Sequence, residues 1–198
     1  MRCIIVYKNI RKKRMKIFAC EHIFLNKGDK IIMDSYLIVD YYFILDGIVQ
    51  VKKIYNKKIS TTLVFLGKND SFGFKRQNKF YYVAKALNPT NLLVRNFSFS
   101  ELKNKLKIEN IVEIFAHREI SKRVIVFILI LCKQFGRNIS SGILIDLELS
   151  HADIASIIGS TRSTITRILK KLKEKNLINS YSKRIIVFNP IFLSYLLI

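Results

Sequence analysis

The chain has 198 residues, half of them apolar, which is enough to bury a real core and excludes a disordered polymer. Thirty-five Lys and Arg face 14 Asp and Glu, a formal net charge of +21. Such an excess points to a polyanion, nucleic acid or an anionic membrane surface, unless it reflects a general drift toward the Lys, Ile, Asn, Phe and Tyr of AT-rich codons.

Residues 1–16, MRCIIVYKNIRKKRMK, read as a basic arm suited to phosphates. Their apolar patch precedes the basic residues, the reverse of a secretory signal, so no leader is expected. From Ile31 to Gly73 β-branched and aromatic residues dominate and turn signals recur. Asp46-Gly47 between YYFIL and IVQV predicts a two-residue hairpin turn. Asn56-Lys57-Lys58 separates the next two strands, and Ile59, Thr61, Leu63 and Phe65 would share one face. Gly67-Lys68-Asn69-Asp70 closes that run. Phe80 to Leu87 and Asn91 to Phe97 are further strands around an Asn88-Pro89 turn. Several short strands with regular turns predict an all-β roll or sandwich over residues 1–106.

After Phe99 the period changes. Ser100 can cap a short helix through Leu106. From Ile108 apolar residues recur at three and four, through Phe115, Val124, Leu131 and Phe135, and Gly136 is a stop signal. One helix over 107–136 is expected, and its middle, Val124 to Leu131, is apolar on every face. A helix of that kind is either a core element or a dimer contact. The longest apolar run, Val124 to Cys132, is far too short to span a membrane.

Residues 137–198 carry the functional signal. In LELSHADIASIIGSTRSTITRILKKLKEKNLI, Ser150 is an N-cap with Asp153 three residues on, and Ile154, Ile157 and Ile158 make one apolar face. Gly159 ends that helix. Ser160 or Thr161 caps a second, with Ile165, Ile168, Leu169 and Leu172 as its apolar stripe. Two helices joined by a short Gly-containing turn are a helix-turn-helix. The first turn of the second helix is short, polar or cationic: Thr161, Arg162, Ser163, Thr164. Arg162 and Arg167 face solvent, and arginine can bond guanine O6 and N7 in parallel. The hydroxyls of Thr161 and Thr164 suit phosphate oxygens, and Lys170, Lys171, Lys173 and Lys175 add attraction to the backbone. NSYSKRIIVFN then reads as two strands with a basic tip at Lys183-Arg184, a wing. A DNA-free packing unit with a solvated Lys face is the plainer alternative, and the coincidence with the basic surplus favours double-stranded DNA.

No enzyme is expected. Cys3, Cys20 and Cys132 are widely spaced, and His22, His117 and His151 are scattered, so no disulfide scaffold or metal site is indicated. No activated nucleophile or Gly-rich phosphate loop occurs. A basic structural or RNA-associated protein is the alternative, but the aromatics lie in strand patterns rather than on stacking platforms.

At AHREISKRVIVFILILCKQFG, at GILIDLELSHADIASIIGSTRSTITRILKKL and in the wing, the sequence resembles the cyclic-AMP-receptor/fumarate-nitrate-regulator superfamily, and within it the global nitrogen regulators of cyanobacteria and red-algal plastids. YYFILDGIVQV, FLGKNDSFG and FYYVAKALNPTNLLV are similar to its β-roll. The resemblance implies an α+β chain with a cyclic-nucleotide-binding-like β-roll, a connecting dimerisation helix over 107–136 and a winged helix-turn-helix. It implies a homodimer that reads a palindrome and meets RNA polymerase, without a membrane, in a plastid or in bacterial cytoplasm. Arg162, Ser163 and Arg167 fall at base-edge positions, Ser163 in place of a different residue; Ser150, Thr161 and Thr164 match backbone contacts, joined by Lys170 and Lys183. For an effector such as 2-oxoglutarate, Phe72 and Gly73 match the loop that offers N–H groups, and Lys79 stands where the nitrogen regulators have Arg. The segment FKRQNKF is shorter than in the family, and the helical part bringing an Arg and a Glu to the ligand has no counterpart between Leu106 and Ile111. A degenerate or altered effector pocket is the expectation.

Overall fold

The computed structural model describes residues 3–4, 21–34, 40–55, 59–74, 77, 79–96 and 108–197. Most of the expected basic arm, the turn at Asn56–Lys58 and the short helix from Ser100 to Leu106 lie outside them. The chain divides into two compact units, Met1–Leu106 and Lys107–Ile198.

The first unit contains strands β1 (Cys3–Ile4), β2 (Glu21–Leu25), β3 (Lys30–Met33), β4 (Asp40–Asp46), β5 (Val49–Ile54), β6 (Ser60–Leu66), β7 (Ser71–Phe72), β8 (Tyr81–Ala86) and β9 (Thr90–Asn96). One sheet has the order β1-β3-β8-β5-β6, the other β2-β9-β4-β7. The core draws Leu25, Tyr42, Ile44, Phe72 and Leu92 from one sheet and Ile31, Val49, Val51, Leu66 and Ala84 from the other, so the two pack face to face. Each strand except β6 lies in the other sheet from its predecessor, and this alternation makes the roll.

The Asp46-Gly47 turn is therefore not the two-residue hairpin its sequence suggests. β4 pairs with β9 and β7, while β5 pairs with β6 and β8. The turn is a crossing between sheets, beside the crossing at residues 87–90. Ile48 N–H donates to Asn88 Oδ1 (2.6 Å) and Leu87 N–H to the Ile48 carbonyl (2.8 Å). Gly47 has φ +98°, and a Cβ there would meet Thr90 Oγ1 and the Pro89 carbonyl at 2.5 and 2.7 Å, so only glycine fits. The expected face of β6 also changes. Ile59 is exposed, while Thr62, Phe65 and Leu66 are buried, because the register slips opposite Val51/Lys52 and interrupts simple alternation. Buried polar groups find partners: Gln50 Nε2 donates to Thr62 Oγ1 (3.3 Å).

The second unit comprises α1 (Ile108–Ala116), α2 (Ile120–Phe135), β10 (Gly136–Ile139), β11 (Gly142–Ile145), α3 (His151–Ile158), α4 (Arg162–Glu174), β12 (Ile178–Tyr181), β13 (Arg184–Val187) and α5 (Pro190–Ser194), followed by one 3-10 turn (Tyr195–Leu197). The strands form an antiparallel sheet, β10-β11-β13-β12. The hairpin β10–β11 and α5 carry no signal singled out from the sequence.

The single helix expected over 107–136 is broken into α1 and α2. Glu119 is extended, with φ −78° and ψ 131°. Arg123 holds the corner. Its Nε donates to the His117 carbonyl (2.7 Å), its guanidinium lies 4.9 Å from the Phe115 ring centroid, and Nη1 reaches the Ile158 carbonyl at 3.5 Å. A carbonyl freed by the break is thereby satisfied. α2 packs on α1, α3, α4, α5 and the sheet of its own unit, and Val124 to Ile128 and Leu131 are buried there. Cys132 is half-buried and its thiol is pushed up to about 11 by burial, as suits an inert packing residue. α1 keeps an exposed apolar stripe of Ile111, Val112 and Phe115.

Candidate nucleic-acid interface

α3 and α4 are fixed by their caps and their apolar faces. The Ser150 hydroxyl accepts from Asp153 N–H (3.0 Å) and donates to the Asp153 carboxylate (2.6 Å). Ile154, Ala155 and Ile158 are buried. Gly159 ends α3 in the left-handed region, φ 73° and ψ 47°, and Ser160 N–H donates to the Ala155 carbonyl (2.9 Å). Thr161, not Ser160, caps α4: its Oγ1 accepts from Thr164 N–H (3.2 Å) and lies 2.9 Å from the hydroxyls of both Ser163 and Thr164. Ile165, Leu169 and Leu172 anchor α4 in the core.

That anchoring turns Arg162, Ser163, Thr166, Arg167 and Lys170 outward, all exposed. Neither Arg162 nor Arg167 has an ion pair with a described residue. Lys170 lies 3.8 Å from Glu174, a solvent-exposed pair one turn apart that a phosphate displaces at little cost. Ser163 has its hydroxyl in the cluster that closes the helix start.

The wing sits beside α3. Leu149 N–H donates to the Lys183 carbonyl (3.0 Å), which ties the wing turn to the residue before the Ser150 cap. Lys173 Nζ donates to Ser180 Oγ, tying α4 to β12. The wing turn is Ser182-Lys183, one residue earlier than the Lys183-Arg184 tip expected. Ser182 has φ 47° and Lys183 φ 65°, the two positive values of a type I′ hairpin. Arg184 instead begins β13, half-buried, with Nη1 3.3 Å from Asp146 Oδ1. Ser150, Thr161, Arg162 and Lys183 thus belong to connected elements: the two helix starts and the wing.

Three residues of this region escaped the sequence reading. His151 Nδ1 lies 2.8 Å from Thr166 Oγ1, a contact between α3 and α4. Burial, Lys173 and Arg162 all hold the His151 ring below the ordinary imidazole range. Tyr181, at the wing end of β12, is 75% exposed. Thr166 lies one turn beyond Arg162 and His151 directly follows the cap, which is the only signal either gives.

Phe72, Gly73 and Lys79, the residues matched to an effector, lie in the first unit. Phe72 is fully buried and stacks on Tyr42 (centroids 5.0 Å apart), so its side chain belongs to the core. Gly73 is buried next to it, and Lys79 is exposed where Gln77 and Phe80 close on each other through backbone bonds of 3.0 and 3.1 Å. Lys53 lies over two aromatics of this unit, 3.5 Å from the Phe80 centroid and 5.0 Å from that of Tyr55. Among the described residues, no group of His, Cys, Asp and Glu could hold a metal, and no helix is long and apolar enough to cross a membrane.

A β-roll followed by a helix-turn-helix with a bare cationic face and a tethered wing defines a DNA-binding transcription regulator of the Crp type. Residues 122–194 match the Crp-like helix-turn-helix domain. The Global nitrogen regulator of Synechococcus elongatus is 38% identical over 176 residues, covering 77% of this chain and 79% of that one. The HTH-type transcriptional regulator ycf28 of Porphyra purpurea is 34% identical over 189 residues, covering 86% and 79%. A CRP/FNR-family transcriptional regulator from Thermus thermophilus shares the fold with a TM-score of 0.67 at 19% identity, over 89% of this chain and 98% of that one. The chain belongs to the global nitrogen regulator family of Crp-type transcription regulators.

Proposed function

We propose that the protein regulates nitrogen-related genes by binding a palindromic duplex site as a homodimer. The observation that carries this reading is the outward pair Arg162 and Arg167, without an ion pair among the described residues, on a helix whose opposite face is buried. Arg162, Ser163 and Arg167 read base edges; Ser150, Thr161, Thr164, Lys170 and Lys183 hold phosphates. The exposed stripe of Ile111, Val112 and Phe115 on α1 supports self-association, because two copies bury it symmetrically. Such a dimer sets its two α4 helices in successive major grooves, about 34–36 Å apart. Bound at a promoter, it meets RNA polymerase. A plastid, or otherwise bacterial cytoplasm, is the compartment that the relatives and the AT-biased composition favour.

The effector pocket is altered. An anionic ligand such as 2-oxoglutarate needs a cationic clamp, and the helical part that would bring an Arg and a Glu to it has no counterpart between Leu106 and Ile111. The test is binding of the purified protein to a palindromic duplex of the nitrogen-regulator type and to a scrambled one, at two salt concentrations, with and without 2-oxoglutarate. Preference for the palindrome, unchanged by the ligand, is expected. Equal, salt-sensitive binding to both duplexes removes the base-reading roles and leaves charge alone. A ligand-dependent gain restores the sensor.

A further inference from the structure

The contact between His151 and Thr166 has a determinable proton arrangement. Thr166 Oγ1 donates its only proton to the Arg162 carbonyl, at 2.9 Å. A hydroxyl has one proton and two acceptor lone pairs, so the bond from His151 at 2.8 Å must be donated by Nδ1–H. In the neutral ring the bare nitrogen is then Nε2, on the side away from Thr166. His151 directly follows the Ser150 cap and is part-exposed. Its tether ends on the backbone of Arg162, the first residue of α4.

We propose that His151 is a phosphate contact of this chain, and that its imidazole takes up a proton when the duplex binds. The bare Nε2 lone pair repels a phosphate oxygen, whereas a protonated Nε2–H donates a charge-assisted bond to it. The Nδ1–H is present in both forms, so the link from α3 through Thr166 to the Arg162 carbonyl survives the change. His151 is thus also a positioning residue for the start of α4.

The surrounding charges set the direction. On α4, Arg162 and Lys173 disfavour the charged ring in the free protein, and burial adds to them. On α3 itself, Asp153 is engaged by the Ser150 hydroxyl at 2.6 Å. From the wing, Lys183 contributes its carbonyl to Leu149 N–H. The polyanion offsets these cations, so bound DNA stabilises the charged ring. Binding that takes up a proton strengthens as pH falls from neutral toward the titration range of the free ring, by at most about tenfold in Kd per pH unit.

This inference rests on the reading that the face binds duplex DNA, and one experiment separates the two. Kd for the palindromic and scrambled duplexes is measured from about pH 7.5 to about pH 6, the range in which imidazole titrates, at fixed salt, for the wild type, His151→Gln and Thr166→Val. In parallel, the ring signals of the chain's three histidines, His22, His117 and His151, are titrated by NMR with and without duplex. Expected is several-fold tightening for the wild type at the acid end and a flat profile for His151→Gln. Thr166→Val should keep the slope but bind more weakly throughout, and the His151 ring should titrate at higher pH when DNA is bound. An equal pH slope in His151→Gln, or a ring titration that DNA does not move, overturns the inference. A wild-type chain that binds neither duplex overturns the DNA reading and this inference with it.

Discussion

The two units treat charge in opposite ways. In the β-roll several polar and cationic groups are absorbed: Lys53 lies over Phe80 and Tyr55, Gln50 bonds Thr62, and Asn88 caps a crossing between sheets. In the C-terminal unit, the buried face of α4 turns Arg162 and Arg167 toward solvent, and neither has an ion pair among the described residues. Unpaired arginines on an ordered surface do little for stability, and their value appears only when a polyanion arrives. The difference teaches that ligand recognition is to be sought where charges are left unsatisfied by the fold, here in the second unit.

The hardest test of that division is Ile128→Ala. Ile128 is fully buried in α2, which carries α3, α4 and the sheet of its unit. The substitution should cost about 2–5 kcal/mol, a transfer term plus a cavity, read as a lower midpoint in urea. Duplex binding should fail with the C-terminal unit while β-sheet circular dichroism persists. Loss of both signals together would mean that the roll depends on the second unit.

Arg162→Ala should act the other way. Stability should stay within about 0.5 kcal/mol, because the side chain is exposed and has no ion pair among the described residues. Affinity for the palindrome should fall by about 1–3 kcal/mol, with less loss on scrambled DNA. Equal losses on both duplexes would make Arg162 a phosphate contact. Lys53→Met is its mirror image in the roll. Removing the cation above Phe80 should cost about 0.5–1 kcal/mol of stability and leave duplex affinity unchanged. A loss of DNA binding in Lys53→Met would erase the contrast between the units.

Sequence pattern revealed the helix-turn-helix almost in full, because its signals are local: a Ser150 cap, a left-handed Gly159, a Thr161 cap and apolar residues at three and four. The roll was legible as strands but not as pairings. Asp46-Gly47 carries a hairpin signature, yet both partners of β4 come from elsewhere, and what decides is Thr90 and Pro89 pressing on Gly47 from more than forty residues away. Likewise the periodicity ran on through His117–Glu119, where Arg123 turns the chain by reaching a carbonyl behind it. The His151–Thr166 contact joins two helices, each of which is regular by itself. Local propensity records the conformation of a segment, not what the segment touches.

Lys183 brings both uses of charge onto one residue. It occupies the second positive-φ position of the wing turn, where a β-carbon is disfavoured, and its exposed ammonium is assigned to a phosphate. Lys183→Gly should therefore stabilise the free protein by a few tenths to about 1 kcal/mol, seen as a slightly higher thermal midpoint. The same change should weaken binding to palindromic and scrambled duplexes alike and lower the salt slope of log Kd by about one. Opposite signs in the two measurements would show that strain in the turn is tolerated for the sake of the charge it carries. If the salt slope is unchanged, Lys183 only shapes the wing, and the phosphate contact passes to its neighbours on α3 and α4.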